Sequence, residues 1–208
     1  MFRQKLFISL FALALVLAIN AYAFAQTEDD ANPNDVAARA AAQRLASADP
    51  LLRQQAAEEL ARLSANEQQK LVQGYYMQEK NSRVKLALAW ALYRMNKSEM
   101  LFAIVRDLDS SRAVQAAGYL RMLDDAEPLY MFLSNAKRGV VVELLKVLAD
   151  IGDQTTLAQI KPLTQASDLK ISAEAQRATR IITERLAQTP PETPQRPRQV
   201  GQSSDTQP

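Results

Sequence analysis

The sequence predicts an all-α fold, a right-handed α-solenoid of about five helix–turn–helix repeats, and three observations predict it. Helix formers (Ala, Leu, Gln, Glu, Lys and Arg) dominate, while glycine is held to five residues and aromatics to 6%, leaving little material for strands. One stretch, Asp49–Leu63 (DPLLRQQAAEELARL), opens with a capping residue and a first-turn proline, then sets Leu52, Ala56, Leu60 and Leu63 on one helical face. That pattern returns imperfectly: the counterparts of Leu60 are Leu92, Leu120, Leu148 and Ala178, spaced 32, 28, 28 and 30 residues apart.

The elements follow in order. Met1–Ala25 reads as an export signal: Arg3 and Lys5 make a positive start, Leu6–Ile19 is an apolar run of fourteen residues, and Ala23-Phe24-Ala25 supplies small residues for cleavage. A membrane span needs about 20 apolar residues, so the run is short for an anchor. The mature chain is expected to be periplasmic or secreted and without a membrane span. Residues 26–34 (QTEDDANPN) read as a flexible leader. Asp35 is the expected cap of a terminal helix with Val36, Ala40, Ala41 and Leu45 on its buried face.

Within the repeats, three positions before each anchor stand Ala57, Ala89, Ala117, Leu145 and Ala175. Four before stand Ala56, Leu88, Ala116, Leu144 and Glu174, and three after stand Leu63, Met95, Leu123, Ile151 and Ile181. Residues so spaced share one helical face, and small ones allow helices to approach closely. Between the anchored helices come second helices: Ser64-Ala65-Asn66-Glu67 as a capping box, Ser98 as a cap before Leu101, Ile104 and Val105, and Pro128 in the first turn before Leu129, Phe132 and Leu133. Gly152 ends a helix, Asp153 caps the next, which carries Leu157 and Ile160, and Pro162 stops it. The repeat domain spans 35–187. Residues 188–208, rich in Pro, Gln, Thr and Ser, lack the apolar surface to offset ordering entropy and read as disordered.

Val84-Lys85-x-x-Leu88-Ala89-x-Ala91-Leu92-x-x-Met95 and Leu52-Arg53-x-x-Ala56-Ala57-x-x-Leu60-x-x-Leu63 resemble the core pattern of HEAT repeats, closest to the short type of phycobilin-lyase-like HEAT proteins. The resemblance covers roughly residues 49–187 and implies stacked helix pairs whose second helices line a concave face. It departs at Arg112-Ala113, which lacks the apolar-then-basic pair, and at Leu169-Lys170, shifted by one.

Composition excludes several functions. With neither Cys nor His, the chain has no Cys/His zinc site, thiol chemistry, His base or disulfide, and the His-dependent di-iron chemistry of some HEAT-like enzymes is ruled out. Removing Arg3 and Lys5 with the signal leaves 23 bases against 23 acids, so the surplus a nucleic-acid binder needs is missing. No cofactor is expected. Ser-x-x-Lys occurs at Ser82/Lys85, Ser134/Lys137 and Ser167/Lys170, but the recurrence fits helix-capping serines better than a nucleophile, and the partner motifs are absent. Glu58/Glu59 and Asp124/Asp125 read as solvated surface, since adjacent helical positions do not face each other. In the tail, Pro191-x-x-Pro194-x-x-Pro197 reads as a solvated spacer, and Asn96-Lys97-Ser98 matches a glycosylation acceptor by pattern only.

The expected function is capture of a protein or peptide partner as an exported scaffold. Tyr75, Tyr76, Phe102 and Tyr130 on the second helices, beside Met77, Met100 and Met131, are the candidate contact residues, because interface cores are enriched in such side chains. Trp90 stands in an otherwise mostly polar column (Glu58, Gly118, Lys146, Gln176), and its expected role is packing over Gly118, with an exposed partner anchor as the rival. Arg94, in a column with Arg62 and Arg180, is a weaker candidate for an acidic partner. The alternatives are an envelope hydrolase using Ser/Lys or paired carboxylates, and a structural spacer.

Overall fold

The structure, a computed structural model, describes residues 32–188. The expected signal, the leader as far as residue 31 and the tail from residue 189 lie outside the described residues. Every regular element among those residues is helical, so the class is all-α. The chain divides into two compact units, one ending at Met122 and the other starting at Leu123.

The first unit contains α1 (Pro33–Arg44), α2 (Pro50–Arg62), α3 (Gln69–Gln78), α4 (Ser82–Arg94), α5 (Met100–Arg106) and α6 (Ala113–Leu120). Helix α1 starts two residues earlier than the expected cap at Asp35, because the Asn32 side chain accepts from the Asn34 N–H and Pro33 occupies the first turn. Its buried face is Ala38, Ala41, Ala42 and Leu45, while Val36 and Ala40 are exposed. In α2 the Asp49 cap and Pro50 stand as expected, but Leu52 is 41% exposed and the buried face is Ala56, Ala57, Leu60 and Ala61. Helix α4 is buried on all sides from Leu86 to Leu92 because α2, α3, α5 and α6 all pack on it.

Two of these helices end in the same way. After α2, the Ala65 N–H reaches the Leu60 carbonyl and Ser64 takes a left-handed φ of 47°. After α4, the Lys97 N–H reaches the Leu92 carbonyl and Asn96 takes a φ of 68°. Both are Schellman stops built on non-glycine residues, placed on the two anchor leucines. Ser64 is thereby used to close α2, so the expected capping box does not form, and a short 3₁₀ turn (Asn66–Gln68) with no side-chain cap leads into α3. At α5 the residue before the helix is Glu99, without a side-chain cap; Ser98 contributes its carbonyl to the Leu101 N–H.

Arg53 braces the start of α2. Its guanidinium donates to both Glu79 oxygens (2.8 and 3.1 Å) and to the carbonyls of Ser47 (2.9 Å) and Ala48 (3.0 Å). With side chains only 18% and 8% exposed, the pair is shielded from screening, and the hydrogen bond from Arg53 holds the Glu79 carboxyl below its usual range.

The second unit contains α7 (Glu127–Tyr130), α8 (Phe132–Asn135), α9 (Arg138–Ile151), α10 (Gln154–Ile160) and α11 (Leu169–Gln188). The single second helix expected after Pro128 is two short turns, though Leu129, Phe132 and Leu133 are buried as expected. Asp153 caps α10 through a capping box with Thr156. Gly152 ends α9 with extended backbone (φ −69°), and space rather than left-handed freedom requires it: a Cβ there would stand 2.5 Å from the Leu148 carbonyl oxygen and 2.7 Å from Thr156 Cγ2. Arg185 of α11 donates to the carbonyls of Ala149, Asp150 and Gly152, capping the open end of α9. Gln188, expected in the tail, is the last residue of α11.

The anchors and the two preceding columns form the core, except at Glu174, which is half-buried and pairs with Arg177. Leu60, Leu92, Leu120, Leu148 and Ala178 are at most 1% exposed, and Ala57, Ala89, Ala117, Leu145 and Ala175 at most 6%. Of the column three after the anchor, only Met95 is buried; Leu63, Leu123 and Ile151 are half-buried at or just past helix ends, and Ile181 is half-buried within α11.

Candidate functional site

In the first unit, Trp90 is the centre of a buried aromatic cluster. Its indole stacks on Tyr119 (centroids 5.5 Å, planes 2° apart) and on Tyr93 (5.8 Å), with the Arg94 guanidinium 5.8 Å from its ring centroid. At 2% exposure Trp90 is not an anchor for a partner. The expected packing over Gly118 is also corrected, since a Cβ on Gly118 would meet nothing within 4 Å. The neighbour that covers the indole is Tyr119, one position on.

A polar clasp holds Tyr119 in place. Its hydroxyl donates to Glu58 Oε1 (2.6 Å) and accepts from Gln115 Nε2 (2.8 Å), while Gln54 Nε2 donates to the same Glu58 oxygen (2.9 Å). Burial first, and the Glu58 carboxylate second, push the Tyr119 phenol well above its ordinary value, so it stays a neutral donor. Glu58 is therefore no solvated acid: it ties α2 to α6, and Glu59 pairs with Arg62 (2.7 Å). The sequence signal for Tyr119 was the Gln115/Tyr119 spacing of four on one helix, next to the glycine.

The second-helix candidates fare differently. Tyr75 and Tyr76 on α3 are both half-buried, and the Lys85 ammonium stands 5.1 Å from the Tyr76 ring centroid. Phe102 on α5 is 54% exposed, and Met77 and Leu71 on α3 are 72% and 43% exposed. Tyr130 belongs to the second unit, where its hydroxyl bonds the buried Thr156 hydroxyl at 2.7 Å. It serves the α10 cap. Arg94, half-buried, stands beside Trp90.

One cavity of about 110 Å³ opens where α3, α4 and α5 meet. Tyr76, Lys85, Arg106 and the Asp107–Arg112 ion pair (2.9 Å) form its polar walls. Ser82 also lines it, yet no hydrogen bond joins the Ser82 hydroxyl to Lys85 among the described residues. Nor do the three Ser-x-x-Lys serines cap helices. Asn81 caps α4 with Ser82 in its first turn, Ser134 lies inside α8, and Asp168 accepts from the Lys170 and Ile171 N–H groups at the start of α11. No cluster of three or more acidic residues that could hold a metal ion occurs among the described residues, and no helix there is long and apolar enough to cross a membrane. Compared with models of known families and with curated proteins, the chain matches none.

Proposed function

We propose that this chain is an exported, HEAT-like repeat module that captures a protein or peptide through its second helices. The observation that carries the reading is the set of large apolar side chains exposed on α3 and α5: Leu71, Met77 and Phe102 are 43–72% exposed, while α4, which packs on both helices, is buried from Leu86 to Leu92. Such side chains gain from contact with another apolar surface, at about 25 cal/mol per Å² removed from water. Export rests on the pattern of the first 25 residues. The hydrolase reading has less support, because Ser82 and Lys85 share a cavity without the hydrogen bond that activates a nucleophile.

The test is affinity capture from envelope extract with the wild-type chain and with the double variant Met77→Ala/Phe102→Ala. Recovery of the enriched partner is expected to fall about tenfold with an unchanged far-UV circular dichroism spectrum. Equal recovery by both chains removes the reading.

A further inference from the structure

We propose that the cavity between α3, α4 and α5 is a carboxylate pocket, which takes an acidic side chain or a terminal carboxylate of the captured peptide; this rests on the peptide-binding reading above and names its chemistry. The charge is unbalanced in one direction. Lys85, Arg106 and Arg112 line the cavity against a single acid, Asp107, and Asp107 is held by both guanidinium arms of Arg112 at 2.9 Å. Among the described residues neither Lys85 nor Arg106 has an ion-pair partner. Two cations at the mouth of one small cavity therefore lack a counter-charge, and a concave site concentrates their field.

The rest of the lining selects the ligand. Leu86 and Ala89, at most 3% exposed, and Ala103 form an apolar wall, and the Tyr76 ring adds an aromatic face. An inorganic oxyanion, oxygen on every side, would set some of its oxygens against that wall with no donor to meet them. A carboxylate on a short aliphatic stem fits both parts: oxygens toward Lys85 and Arg106, methylenes against Leu86 and Ala89. A cavity of about 110 Å³ has room for such a group, since about 10–15 Å³ of such space already holds one water. The pocket also adjoins the exposed surface, for Arg106 of its lining stands four residues after the exposed Phe102 on α5, a spacing that shares one helical face. A peptide could place an apolar residue on Phe102 and an acid beside it.

The probes are two fluorescein-labelled peptides, hexaglutamate with an amidated C-terminus and hexaglutamine with a free one, titrated into the full-length chain and followed by anisotropy. At least one is expected to bind, and which one assigns the source of the carboxylate. The double variant Lys85→Gln/Arg106→Gln is expected to weaken that binding about tenfold, while Arg39→Gln/Arg44→Gln on α1, with the same change in net charge, stays within about twofold. Arg106→Gln alone, at an exposed position, keeps the test decisive if the double variant misfolds, and it is expected to weaken binding about threefold. Binding of neither peptide, or equal losses in the cavity and α1 variants, overturns the pocket. Phe102-dependent partner capture that survives such a failure leaves the interaction module standing, whereas loss of that capture with peptide binding intact supports the pocket alone.

Discussion

At the scale of single residues, stability in the first unit depends on a few polar atoms placed against aromatic surface. Tyr119→Phe keeps the stack on Trp90 but takes from half-buried Glu58 a 2.6 Å charge-assisted bond, leaving it the one from Gln54. The expected cost is about 1.5–3 kcal/mol, read as a lower midpoint in urea with Trp90 fluorescence still buried. Trp90→Ala removes the ring itself, and with it the one tryptophan, and is expected to cost about 3–5 kcal/mol in urea unfolding followed by far-UV circular dichroism. The Arg53–Glu79 pair adds a pH dependence of known sign. Glu79 has a depressed folded value, so its contribution is present above the unfolded glutamate value of about 4.3 and is lost as pH falls through the folded value. Melts of Glu79→Gln below pH 5 should fall less steeply with acid than those of wild type; parallel slopes would count against the pair.

At the scale of elements, the stops are as informative as the helices. Ser64 and Asn96 sit in left-handed backbone that costs a side-chain-bearing residue about 1–2 kcal/mol, less for asparagine. Ser64→Gly is therefore expected to raise stability by up to about 1 kcal/mol, and Asn96→Ala to lower it by a similar amount, both by urea denaturation. These stops were hidden in the sequence for a physical reason: Ser64 looks like a helix start because serine caps well, and only the hydrogen bond from Ala65 to Leu60 shows that it closes the helix before. The core was plainer. The anchors and the residues three before them are buried wherever they recur, since that spacing leaves one face for a neighbour. Leu52 and Val36 failed because they stand in the first turns of their helices, where the pattern continues but no neighbour reaches. Of the candidate site, exposure of Phe102 and Met77 was legible from the second-helix reading. The burial of Trp90 under Tyr119 and the placing of Lys85 and Arg106 around one cavity were not, because each joins separate helices and leaves no spacing to read.

At the scale of the whole molecule, the proposed solenoid makes a thermodynamic claim: each repeat is stabilised by itself and its neighbours. Leu144→Ala, at a fully buried position in α9, is expected to cost about 2.7–5 kcal/mol and to lower amide-exchange protection in α9 and α11, with α2 and α4 little changed. Uniform loss across both units would mean one cooperative core instead. The paired stops carry a further consequence. Since Leu60/Ser64 and Leu92/Asn96 present the same backbone exit 32 residues apart, the segment from Ala65 to Asn96 behaves as a cassette whose two ends are interchangeable. A gene carrying that cassette twice in tandem should yield a longer soluble chain, one helix pair richer, with its splice junction falling in a turn the protein already knows how to make.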